Sequence, residues 1–480
     1  MKPEEKLYRA IGGVGEDLVD QALSPGKKKT PWRRWAALAA ALALVAGGSL
    51  ALLPRFGGGS AGGAGHGEGS SFMSYAGPIF PLTVLEGGEG LAASREVTLD
   101  FSAFTGEKVS SPPVEVADRT ILVNTAGEER TVTVAYPFVG SLSGLELPAL
   151  TIDGEAVETR LYAGKAGSSS RSWEDYREAL ASGEYMAAAF GEVPALDQPV
   201  AVWRVYDSGV PEGNGAVAPH AGVGFSQVPE GTRIYSYGFN GFSTWEDGSQ
   251  EFGYSIPEEG SPWREQPRLL IIQGELPAEH TFRAGTDGSL EEELPGVEIW
   301  VETEETTLGE ALDLCLEHFY LEQTDWLLPG GEYLELARRS VRELIAPAAL
   351  ETGDPERYDY AFLEDIFSGA ASWDRVFWLT ARVTIPAGGE VEVEAVFSKE
   401  PSFDYACAHT ENQGVWGYDL VTALGSALEF ERSAARLENI QGVEIVRQNF
   451  GFDLEAGVLA VELDPAQPRY YIEVRALEGP

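Results

Sequence analysis

The chain has 480 residues and carries 76 Asp+Glu against 34 Lys+Arg, a formal net charge of −42 at pH 7. Nucleic-acid binding needs clustered cations to displace counterions, so this acidic balance excludes it as a general activity. A hydrophobic content of 44% argues against disorder, and two cysteines exclude a disulfide-dense scaffold.

At the start of the chain, Leu7, Ile11, Val14, Leu18 and Ala22 recur at helical spacing and share one face. Gly12, Gly13 and Gly15 break the stripe, and Ser24-Pro25-Gly26 ends it, so residues 1–26 make a segment too short to fold alone. The face Leu7, Ile11, Val14 and Leu18 is a candidate partner-binding stripe, with a solvated leader as the plainer alternative. A basic stretch, 27–34, precedes Trp35 to Leu53, nineteen residues without a charge. As a helix this span is about 28 Å long, close to bilayer thickness. Lys27, Lys28, Lys29, Arg33 and Arg34 on its N-terminal side predict a cytoplasmic N-terminus and an exported remainder. A cleaved signal peptide and a buried core helix are the alternatives, and the absence of a nearby Cys excludes a lipoprotein signal. Charge divides at the same place: residues 1–55 balance at +4 and residues 56–480 at −46.

Residues 54–71 read as a tether, with eight glycines between Gly57 and Ser71. Gly58-Gly59-Ser60-Ala61-Gly62 matches a nucleophile elbow in letters only, since no strand and helix flank it. From 72 to 306 the sequence reads as β. Arg95–Phe101 alternates with period two, and Thr120–Asn124 with Arg130–Phe138 reads as a hairpin through Gly127-Glu128-Glu129. Leu150–Val157 reads as a second hairpin with Asp153-Gly154 as its turn. Further strands are expected at 200–206, 232–238, 269–273 and 297–302. A helix is expected over Trp173–Leu180, capped by Ser172 and stopped by Gly183.

Residues 307–369 read as a helical insertion. Thr307 and Glu310 have capping-box spacing before Ala311–Leu321. Tyr333–Ile345 follows, stopped near Pro347, and Asp354-Pro355 opens Glu356–Phe367. Residues 370–480 return to β, with Val376–Ile385 and Glu390–Phe397 expected to form a hairpin through Pro386-Ala-Gly-Gly389. Strands at 427–431, 443–447, 458–463 and 470–475 follow at sandwich-like spacing.

Glu5-Lys6-Leu7-Tyr8-Arg9-Ala10-Ile11-Gly12, Glu16-Asp17-Leu18-Val19, the basic cluster and the Ala/Leu span together resemble uncharacterised single-pass membrane proteins of Gram-positive bacteria. Some proteins of that layout are anti-sigma or sigma-regulator proteins, which implies a transmembrane regulator. Thr120–Phe138 and Ile385–Phe397 resemble VIT-like β-sandwich segments, which implies a fold and no activity.

Candidate chemistry is sparse. Cys315 and Cys407 are candidates for a disulfide, for two free thiols, or, with His318 and His409, for a metal site whose spacing matches no common zinc motif. No Ser–His or Cys–His pair is supported by local context. Glu291–Glu293 and Glu302–Glu305 read as solvated faces, and Trp378, within an alternating strand, as core. The reading is a mainly β, sandwich-like ectodomain with helical insertions behind one N-terminal transmembrane helix. Its expected role is a membrane-anchored surface or sensor protein that binds a partner, without evident catalysis and without a cofactor or metal. An anti-sigma-like regulator and a carboxylate-dependent envelope hydrolase are the alternatives.

Overall fold

Side chains along Val114–Asn124 alternate between faces, and Val114, Val116, Asp118, Thr120, Leu122 and Asn124 all point inward. A computed structural model describes this strand within residues 75–105, 112–165, 173–211, 218–322, 331–350, 362–405, 412–424 and 426–477. The stripe Leu7, Ile11, Val14 and Leu18, the span 35–53, the tether, the caps Ser172 and Asp354-Pro355, and Cys407 lie outside the described residues. Among the described residues no helix is long and apolar enough to cross a membrane.

The protein is mainly β. Val114–Asn124 lies within a seven-stranded sheet, flanked by Leu91–Asp100 and Glu390–Lys399. Two four-stranded sheets pack on its inner face. At one end Leu122, Leu150, Val391 and Val393 meet Val132, Val134, Tyr136, Leu379 and Val383 of the first. At the other end Val97, Leu99, Val114 and Val116 meet Leu420, Ile472 and Val474 of the second. The seven-stranded sheet therefore spans both neighbours, and a polar joint lies where the three meet. Arg95 and Asp118 are paired there in bidentate fashion at 2.9 and 2.7 Å, with side chains 1% and 0% exposed. Arg95 also donates to the carbonyls of Val421 at 2.6 Å and Phe80 at 3.1 Å, and the Tyr136 hydroxyl donates to Asp118 at 3.0 Å. Burial alone would lower the Arg95 pKa, but the Asp118 charge and hydrogen bonds outweigh it and raise the value.

Both long hairpins expected from the sequence are corrected. Val114–Asn124 and Arg130–Gly140 do not pair, because they belong to opposite sheets; so do Arg375–Ile385 and Glu390–Lys399. Each connection is an arch that carries the chain across the core. The arches lie side by side: Asn124 accepts from Ala126 N–H and donates to the carbonyls of Glu128, Ile385 and Pro386. Arg130–Gly140 then pairs with Arg375–Ile385 over eleven positions, and Val114–Asn124 pairs with Glu390–Lys399 over ten. The short hairpin is as expected: Ala149–Ile152 pairs with Glu155–Ala156, with Asp153 and Gly154 at φ 50° and 79°.

Strands from before 163 and after 375 close this first body, so everything between is an insertion. It opens with α1 (Trp173–Ala181) and α2 (Glu184–Phe190), separated by Gly183 at φ 74°; α2 was not expected. Two four-stranded sheets then form a second sandwich around Trp203, Val223, Phe225, Phe252, Leu270 and Ile272. Next come α3 (Leu308–Glu322), α4 (Gly331–Leu350) and α5 (Leu363–Ser372). The capping box at the start of α3 is present, with Thr307 Oγ1 accepting from Glu310 N–H at 3.3 Å and Glu310 accepting from Thr307 N–H at 3.4 Å. Helix α4 runs past Pro347 to Leu350, so the stop expected there is corrected: the helix ends three residues beyond the proline. Leu312, Leu316, Leu344 and Phe367 share a core with Val200, Val202 and Ile271 of the second sandwich and with Phe138 and Phe377 of the first.

Candidate functional site

The strand Pro199–Asp207 begins covered and ends open. Val200 and Val202 face the helices beside Leu308 and Leu312, while Trp203 and Val205 face the core of the second sandwich. Beyond Val202 the helical cover stops, leaving Arg204 half-buried and Tyr206 exposed. Asp207 ends the strand with its side chain 2% exposed. A carboxylate buried that far must be paired and hydrogen-bonded. Its Oδ1 accepts from Gly209 N–H at 2.8 Å and Arg264 at 3.2 Å; its Oδ2 accepts from the Tyr254 hydroxyl at 3.3 Å and Arg268 at 3.5 Å.

The two arginines are themselves held. Ser261 accepts from Trp263 N–H and caps the short turn Pro262–Arg264, from which Arg264 also reaches the carbonyls of Pro257 and Asp207. Arg268 lies 4.3 Å from the centre of the Tyr254 ring. Burial lowers the Arg268 pKa, partly offset by Tyr254 and Asp207, and burial followed by the Asp207 charge pushes the Tyr254 phenol well up.

Arg204, Tyr206, Asp207, Arg264, Glu265 and Arg268 line a cavity of about 470 Å³, within the size range of small-ligand pockets. Three arginines against two carboxylates give it a positive balance, in a stretch, 56–480, that carries −46. Its rim is aromatic: Tyr206 stacks on Trp300 with ring centres 5.7 Å apart and 19° between planes. Tyr206 donates to Glu302 at 3.1 Å, and Arg204 lies 3.6 Å from Glu304.

A second cavity, of about 360 Å³, is lined by Lys399, Glu400, Asp374, Glu146 and the rings of Phe80, Phe138 and Phe397. The half-buried Lys399 ammonium donates to the Glu400 carbonyl at 2.8 Å. Burial pushes its pKa down to about 8, against the opposing pull of Asp419, Glu400 and Asp374. Because the folded pKa lies below the ordinary 10.5, the charged amine costs stability below about pH 8, and the cost fades as pH rises from 8 to 10.5. The stability advantage of Lys399→Met over the unmodified protein should therefore shrink across that window in urea melts. A constant difference from pH 7 to pH 10.5 would show that the amine keeps its ordinary pKa.

Cys315 is buried and, among the described residues, bonded to no other cysteine; burial, followed by the Glu364 charge, pushes its thiol pKa far up, and its pairing with Cys407 falls outside the described residues. His318 Nδ1 lies 3.3 Å from the Tyr237 hydroxyl, and among the described residues no group of His, Cys, Asp and Glu could hold a metal ion. One pairing escaped the sequence: Ser255 and His220, opposite each other in the ladder, approach to 3.0 Å, with Ala218 O 2.8 Å from the other ring nitrogen. This polar pair is solvent-facing and lines neither cavity. Trp378 is fully buried, as its strand position implied. No protein-family model and no curated protein matches the chain.

Proposed function

We propose that the protein is a membrane-anchored, extracytoplasmic binding or sensor protein, and that its second sandwich takes up an anionic ligand in the arginine pocket. One observation carries the reading: a pocket with three arginines, two of them held in place by a buried aspartate, inside a strongly acidic molecule. Guanidinium groups fixed by a neighbour are pre-organised for carboxylate or phosphate oxygens, and little ordering remains to be done on binding. The span 35–53 and its basic flank support the anchored topology. The anti-sigma-like layout of residues 1–55 supports a signalling output.

Titrating the full-length protein with citrate, followed by tryptophan emission, tests this. Saturable binding is expected, weakened about tenfold by Arg204→Gln, the loss of one charge-assisted contact. Affinity should rise between about 0.01 and 0.15 M salt, because screening shortens the reach of the surrounding negative field from about 30 to about 8 Å while close pairs persist. Absence of saturable binding by citrate and by inorganic phosphate overturns the reading.

A further inference from the structure

Strand pairing places more than arginines at this site. In the ladder between Pro199–Asp207 and Ile299–Thr307, Tyr206 is opposite Trp300, Arg204 is opposite Glu302, and Val202 is opposite Glu304. Residues directly opposite one another point to the same face, so Tyr206, Trp300, Arg204, Glu302 and Glu304 form one continuous patch beside the cavity. Tyr206 and Trp300 are 37% and 45% exposed, although covering such rings would be favourable. Trp263, on the turn that carries Arg264, is 55% exposed.

We infer that this patch and the adjoining pocket bind an acidic glycan through a pyranose ring that carries a carboxylate. The inference rests on the anion-binding reading above and narrows its ligand. Phosphate alone would meet the arginines but also the negative charges of Glu302 and Glu304, and would leave the rings unused. A neutral sugar would use the rings and the glutamates but bring no negative charge to the arginine pocket. A carboxylated pyranose answers all three. Its C–H face lies on the Tyr206–Trp300 pair, its hydroxyls donate to Glu302 and Glu304, and its carboxylate accepts from the guanidinium groups.

The experiment uses the full-length protein and calorimetric titration with trigalacturonate, its methyl ester, sialyllactose and inorganic phosphate. An acidic glycan should bind at least tenfold more tightly than the methyl ester and than phosphate. Whichever acid binds identifies the source of the carboxylated ring. Trp300→Ala should weaken that glycan at least tenfold while leaving citrate binding unchanged, with far-UV circular dichroism confirming the fold. Arg204→Gln should erase the preference for acid over ester. If citrate binds but neither acidic glycan does, or Trp300→Ala changes nothing, the glycan inference fails and the anion pocket stands. If the ester binds as well as the acid, the carboxylate is not what the site reads and the glycan inference fails, while the anion pocket stands or falls with citrate; if no anion binds at all, both fail.

Discussion

Asp118→Ala should cost about 3–5 kcal/mol of unfolding free energy, measured by urea denaturation followed through tryptophan fluorescence. The reason is what remains behind. Arg95 would keep its bonds to the carbonyls of Val421 and Phe80 but lose its bidentate carboxylate, in a joint where it has almost no solvent contact. Tyr136 would lose the acceptor for its buried hydroxyl at the same time. The pair need not add stability for its breakage to be costly, since desolvating both charges already offsets most of their attraction. Arg95→Met with Asp118→Leu should therefore be much closer to the unmodified protein than either single change. A loss below about 1 kcal/mol in Asp118→Ala would show that water reaches the joint and that the three sheets are not held there.

That joint was not legible in the sequence. The strand expected there began at Thr120, two residues past Asp118, and the alternation of Arg95–Phe101 does not say what lies opposite. The same limit explains the two arches. Arg130–Phe138 and Glu390–Phe397 were expected as strands and lie in strands, yet a period-two pattern is identical whether the next strand lies alongside or across the core. Asp153-Gly154 was decisive because two consecutive positive-φ residues leave few alternatives to a tight hairpin. Thr307 and Glu310 were legible for the same reason, as a local contact closed within one helical turn. The strands His220–Ser226 and Gly241–Thr244 were missed because glycine replaces the branched residues that mark a strand.

The pocket was illegible for a different reason. Arg204, Asp207, Arg264 and Arg268 come from two segments nearly sixty residues apart, and only the ladder joining Leu269–Gln273 to Val200–Arg204 brings them together. The closest sequence signal is Arg264 and Arg268 within five residues, in a chain where cations are scarce. Glu302–Glu305 read as a solvated face, and all four are exposed; what the sequence did not show is that Glu302 and Glu304 flank an aromatic stack.

Asp207→Ala should lower stability by about 3–5 kcal/mol and should weaken citrate binding, even though it removes a negative charge from an anion site. Two arguments point in opposite directions here. By charge alone, deleting Asp207 leaves Arg264 and Arg268 more positive and should tighten an anion. By geometry, Asp207 receives four donors from separate places: Gly209 in the following turn, Tyr254 in the facing sheet, Arg264 in the short helical turn, and Arg268 beside the next strand. Removing it frees both guanidinium groups to swing and leaves Arg268, 8% exposed, without its carboxylate. Binding energy that depends on pre-organisation is lost when the holding group goes. Geometry wins because each arginine retains several rotatable bonds once released, whereas the added net charge is a single unit partly screened by water. Urea melts and citrate titrations on the same samples decide between them. Tighter binding with an unchanged unfolding midpoint would mean that Asp207 merely dilutes the positive charge and does not build the site.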